Sequence, residues 1–113
     1  MAEMKEILSE MSLEASTSLW IMDLYEFSEP FDQRLQNWMN ATGKGSVAAV
    51  NEFPAMLKKK GEYVTNQYGE EIVPIQGESH DGVFMQKFCV DGVVLVIMCN
   101  PEQGRPRVFR VKD

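Results

Sequence analysis

What this sequence lacks narrows the reading first. No apolar run approaches the roughly 18–20 residues a helix needs to cross a bilayer; the longest, Val93 to Cys99, has the length of one strand. Histidine occurs once and cysteine twice, so a histidine-rich metal site and a disulfide framework both lack material. The first eleven residues alternate charged with apolar positions, unlike the continuous apolar stretch of a secretory leader. Cations are scarce early in the chain: residues 1–40 hold Lys5 and Arg34 against eight carboxylates, and the whole chain carries a formal charge of −6. Free nucleic acid is therefore not an expected partner, since phosphate binding relies on clustered Lys and Arg. A protein with a basic surface would be attracted instead. The expected location is cytoplasmic, with no membrane segment.

What is present suits one folded unit. The 113 residues are 44% apolar and 10% aromatic, enough to build a core and too much for a disordered chain. The length is that of one domain, and the periodicity divides it into a helical half, residues 1–61, and a sheet half, residues 62–113.

In the first half, Met4, Ile7, Leu8 and Met11 fall at helical spacing, with Glu3, Glu6 and Glu10 turned to water. Residues 12–18 either continue that helix or precede a second one through Leu19 to Tyr25; a strand through Leu19 to Phe27 is the lesser alternative. Ser28-Glu29-Pro30 is a helix start, with Ser28 as cap, Pro30 in the first turn and Glu29 and Asp32 at the positive end of the dipole. Phe31, Leu35, Trp38 and Met39 form its buried stripe, and Gly43 and Gly45 end it. Ser46 is expected to cap a further helix facing inward through Val47, Val50, Phe53 and Leu57, with Pro54 kinking or restarting it. Lys58, Lys59 and Lys60 suit its negative end, and Gly61 stops it.

The period then becomes two. Glu62 to Asn66 is a strand, Gln67 to Glu70 a turn, Glu71 to Ile75 a second strand, and Gly77 to Gly82 a polar loop. Val83 to Val90 and Val93 to Cys99 flank Asp91-Gly92, the dipeptide that best fits a two-residue type I′ turn. Such a turn sets Val90 opposite Val93, Phe88 opposite Leu95, Gln86 opposite Ile97 and Phe84 opposite Cys99. Both faces of this hairpin are mainly apolar, so one face is expected to carry helices while the other is a candidate partner or homodimer surface. Cys89 and Cys99 fall on opposite faces, which forbids a bridge between them. Pro106 to Val111 is a last strand, whose Arg105, Arg107, Arg110 and Lys112 either protect an exposed edge or bridge to the acidic helices. The layout is α+β: three or four N-terminal helices packed on a C-terminal four- or five-stranded antiparallel meander.

Motifs with chemistry are weak. Glu78-Ser79-His80-Asp81 places one imidazole among carboxylates, which could serve as a base or part of a metal site but matches no zinc spacing. Gly43-Lys44-Gly45-Ser46 lacks the length, the preceding strand and the Lys-Ser adjacency of a phosphate loop. The expected function is thus a small acidic, non-enzymatic protein-binding module of the inhibitor, immunity-protein or adaptor kind, with no catalytic residue, metal or cofactor. Its expected partner contacts are Asp23, Tyr25, Glu26, Phe27, Glu29 and Asp32, which crowd the Ser28-Glu29-Pro30 junction and combine acid with apolar anchorage. The competing role for the same residues is capping by the carboxylates and core packing by Tyr25 and Phe27. Two further alternatives stand: a small enzyme or ligand-binding domain using the Glu78-His80-Asp81 loop, and a structural subunit of a homo-oligomer.

Overall fold

The computed structural model describes residues 4–11, 21–72, 78–80, 82–100 and 104–112, with residues 78–80 described by their backbone. Helices occupy the first half: α1 (Met4–Glu10), a helical stretch at residues 21–24, α2 (Glu29–Thr42) and α3 (Ser46–Lys59). One short strand, β1 (Tyr25–Phe27), interrupts them. The second half holds β2 (Val64–Asn66), β3 (Glu78–His80), β4 (Val83–Val90), β5 (Val93–Cys99) and β6 (Arg107–Val111). Among the described residues all six strands join one antiparallel sheet in the order β1-β6-β5-β4-β2, with β3 also pairing with β4. The α+β layout with five strands in the second half is as the sequence implies, and β1 from the helical half is added at the sheet's edge.

The central hairpin forms in the expected register. Val90 pairs with Val93 and every step down to Phe84 and Cys99 follows. Asp91 and Gly92 take φ of 49° and 83°, the two positive values a type I′ turn needs. Both cysteines are free. Strands β2 and β3 share the other side of β4: β2 pairs with Phe88 to Val90, β3 with Val83 to Met85. Residues 77–82, expected to be a loop, therefore contain a strand, because β4 extends past the end of β2 and presents an edge that Glu78–His80 fills. Asp81-Gly82 joins His80 to its partner Val83, a second Asp-Gly connection of the length used at residues 91–92. The residues 73–75 of the expected second strand lie outside the described residues; of its start, Glu71 makes an isolated bridge with Thr65.

Helices pack on both faces of the sheet. On the first, α2 and α3 set Leu35, Val50, Phe53 and Leu57 against Phe88, Leu95 and Ile97. Phe53 sits between Trp38 and Phe88, with ring centroids 6.0 and 6.2 Å away, an arrangement that adds about 1 kcal/mol per pair beyond area burial. Helix α3 runs through Pro54 without restarting. The hydrogen bond that Pro54 cannot donate costs less than the burial of Ala49, Val50, Phe53 and Leu57 on either side gains. Gly45, not Ser46, occupies its N-cap position, and Ser28 caps α2 by position while its side chain makes no capping bond. On the second face, α1 and the stretch at 21–24 bring Ile7, Leu8, Met11 and Ile21 onto Val96, Met98 and Phe109. The turn into β6 passes so close to α1 that a Cβ at Gly104 would lie 2.7 Å from the Met11 Cα, a contact only glycine allows.

Candidate interaction surface

The junction that the sequence marks as acidic is built as a clasp. The Ser28 N–H donates to the Val108 carbonyl (3.1 Å) and the Asp32 N–H to the Ser28 carbonyl (2.9 Å), which fixes the first turn of α2 on β6. Asp32 points inward and is only 4% exposed. It accepts the Val108 N–H at 3.0 Å and grips the Arg107 guanidinium with both oxygens, at 3.0 and 3.1 Å from Nε. Arg107 also reaches Glu10 of α1 at 2.9 Å and lies 5.3 Å from the centroid of the Phe27 ring. Burial pulls the Arg107 pKa down, but the hydrogen bonds and charges of Asp32 and Glu10 outweigh it and raise the pKa, so the cation persists.

The six expected contact residues are thus brought together but not presented alike. Tyr25 and Asp32 are buried, Phe27 is half-buried against Phe109 at 5.9 Å, and half-buried Glu26 is ion-paired with Arg110, its partner across the β1–β6 ladder. Asp23 and Glu29 are exposed. Core packing claims Tyr25 and ion pairing claims Asp32, because an apolar sheet face and a guanidinium from a distant strand both lie within reach. Only Asp23, Glu26, Phe27 and Glu29 retain surface for a partner.

The residues of the alternative loop are arranged as a strand edge: Glu78, Ser79 and His80 pair with Met85, Phe84 and Val83, while Asp81 lies outside the described residues. Cys99 is buried, and burial pushes its thiol up to about 11. A cleft of about 250 Å³ opens where α1 meets β6, lined by Glu10, Met11, Arg105 and Arg107. Its cations are occupied, Arg107 by carboxylates and Arg105 by Asn40 at 3.2 Å.

A different surface emerges on the second face of the sheet. Helix α1 covers the end near Met85 and Met98, and leaves the end near the Asp91-Gly92 turn open. Register places Val94 opposite Cys89 and beside Val111, with Cys89 opposite Thr65 and Val111 opposite Tyr25. Val94 and Val111 are each 36% exposed, and Cys89 is half-buried. Leu24, 42% exposed, borders this strip at β1, where its carbonyl accepts the Lys112 N–H. Tyr63, 70% exposed, borders it at β2, where its carbonyl accepts the Asp91 N–H. Tyr25 and Thr65, the β1 and β2 members of this row, are buried, so the open band spans β4, β5 and β6, roughly 10 Å at the usual strand spacing. The two apolar faces of the hairpin were its signal in the sequence; Leu24 and Tyr63 carried none, since their place at the band's ends depends on strand order. No family model, curated protein or solved structure matches this chain.

Proposed function

We propose that the chain is a small, acidic, non-enzymatic protein-binding module acting in the cytoplasm, and that it holds its partner on the open strip of the second sheet face. One observation carries this reading: Val94 and Val111, neighbours across β5 and β6, remain exposed beside half-buried Cys89 on a sheet face whose Val83, Met85, Val96, Met98 and Phe109 are covered. Contiguous exposed apolar side chains with a polar rim mark interaction surfaces, and a tyrosine at the rim is a side chain that contributes strongly when buried by a partner. The net charge of −6, with Asp23 and Glu29 exposed near the β1 end, favours a partner with a basic surface and speeds encounter with it. No helix among the described residues is long and apolar enough to cross a membrane.

Affinity capture from the native host followed by mass spectrometry tests the reading, run in parallel with the Val94→Lys and Val111→Lys variants. A partner recovered with the native chain and lost with both variants supports it, provided the variants keep their circular dichroism and melting behaviour. A partner retained by both variants refutes the strip as its site.

A further inference from the structure

We infer that the open strip selects a partner segment that carries one carboxylate among apolar side chains, and that Lys87 is the residue that receives it; this rests on the strip being the binding surface. The chain has more carboxylates than cations by six, and five of its eleven cations hold one. Arg34 holds Glu62, Lys44 holds Glu52, Lys58 holds Glu71, Arg107 holds Asp32 and Glu10, and Arg110 holds Glu26. Lys5, Lys59 and Lys60 stand exposed on helical surface where water solvates them. Lys87 is different. It is half-buried in the middle of β4, on the same face as Met85 and Cys89 and opposite Val96. Among the described residues its ammonium has the face of the Tyr25 ring, 5.8 Å to the centroid, and no carboxylate.

Such a position is costly for an ammonium unless something compensates the water it loses. A ring face compensates in part. A carboxylate brought by a partner would complete the set, and in the water-excluded centre of an interface that pair is stronger than one at the rim. The same geometry fixes the segment's size. The open band of roughly 10 Å is spanned by about two turns of helix, about seven residues at 1.5 Å each. Its apolar side chains would lie over Val94, Cys89 and Val111, and its carboxylate over Lys87. Two chains at −6 each repel at long range, which favours a basic partner over a second copy. A partner that is basic overall, with one acidic residue inside its apolar segment, satisfies both the long-range field and the contact.

A displayed library of random 12-residue peptides, panned against the full chain, tests this directly. The expected winners combine aliphatic or aromatic residues with one Asp or Glu. A synthetic winner should bind Val94→Lys at least about tenfold more weakly, and Lys87→Glu likewise. Changing the peptide's acid to Lys should restore binding to Lys87→Glu, which a merely misfolded variant could not do. Lys87→Met, neutral and of similar length, should lose the preference for acidic over neutral peptides while still binding apolar ones. Winners without acidic residues, or indifferent to Lys87→Glu, overturn the role of Lys87 and leave the strip standing. Winners unaffected by Val94→Lys, or no enrichment at all, overturn both. A dimer by light scattering that Val94→Lys dissociates would make a second copy the occupant and also overturn the inference.

Discussion

Replacing Asp32 by Asn isolates one charge at the centre of the clasp. The side chain keeps its shape, and its remaining oxygen can still accept the Val108 N–H, now 3.0 Å from Oδ1. What changes is the guanidinium of Arg107, which loses its bidentate partner and meets an amide N–H₂ in its place. Removing one member of a buried ion pair costs about 3–5 kcal/mol, because the other charge is left without compensation. Here the Arg107 side chain is 19% exposed and keeps Glu10, itself 68% exposed, so the expected loss falls to about 2–3 kcal/mol. Against a total of about 5–15 kcal/mol for a domain, that is a large share. Urea unfolding followed by circular dichroism reads it: with a slope of about 1–3 kcal/mol per molar, the midpoint should fall by roughly 1–2 M. The double variant Asp32→Leu with Arg107→Met removes both charges and should recover most of the loss, leaving about 1–2 kcal/mol for the unpaired Val108 N–H. A midpoint within about 0.3 M of the native one for Asp32→Asn would show that Arg107 is solvated and that the clasp does not hold α2 to β6.

Three further outcomes can be measured in the same assay. Gly92→Val should cost about 1 kcal/mol or more, since a β-branched residue resists the φ of 83°; an unchanged midpoint would move the turn elsewhere. Gln86→Leu should stabilise by about 1–2 kcal/mol, because both polar atoms of this buried amide lack a partner; a loss instead would reveal a bond made by the amide in solution. Glu62 is held below the usual carboxylate range by its hydrogen bonds to Arg34, so its share of stability is present above its unfolded pKa near 4.5 and is lost as pH falls through the lower folded value; Glu62→Gln should flatten the stability profile in that acid window, and an unaltered slope there would refute the pairing.

The hairpin was legible in the sequence because a two-residue turn fixes the register of all that follows, and Asp-Gly announces such a turn. Both strands are long and apolar, so no distant contact was needed to find them. β3 was not legible, and β1 only within the lesser alternative of a strand through Leu19 to Phe27, for the opposite reason. Tyr25–Phe27 is three residues at the end of an apolar stretch, and only pairing with β6, far away in the chain, makes it a strand. Glu78–His80 is wholly polar and pairs because β4 offers a free edge. Between β2 and β3, residues 86 and 87 of β4 face neither strand. That gap explains why Gln86 lacks the partners a longer β2 would bring near it. The acidic junction shows the same limit. A carboxylate in the first turn of a helix reads as exposed on dipole grounds, whereas Asp32 is drawn inward by Arg107, 75 residues further along.

The basic tail strand shows what the uneven charge does. Edge protection would have placed β6 outermost, yet it lies between β5 and β1. Each of its cations closes on the helical half: Arg105 on Asn40, Arg107 on Asp32 and Glu10, Arg110 on Glu26, and Lys112 on the Met22 carbonyl. The acidity of residues 1–40 is therefore partly consumed inside the fold, in bonding the last strand to the first elements. Three residues of β1 pair with the edge of β6 that β5 leaves free. Under the proposed reading, the carboxylates left outside, Asp23 and Glu29 among them, would act on a partner through the long-range field, which salt screens over about 8–10 Å. The strip would act through contact, which salt leaves largely intact. The two contributions separate in kinetics: raising the ionic strength should slow association with a basic partner, while Val94→Lys should speed dissociation. An association rate indifferent to salt would assign the charge wholly to the fold and none of it to recognition, and dissociation not sped by Val94→Lys would refute the strip.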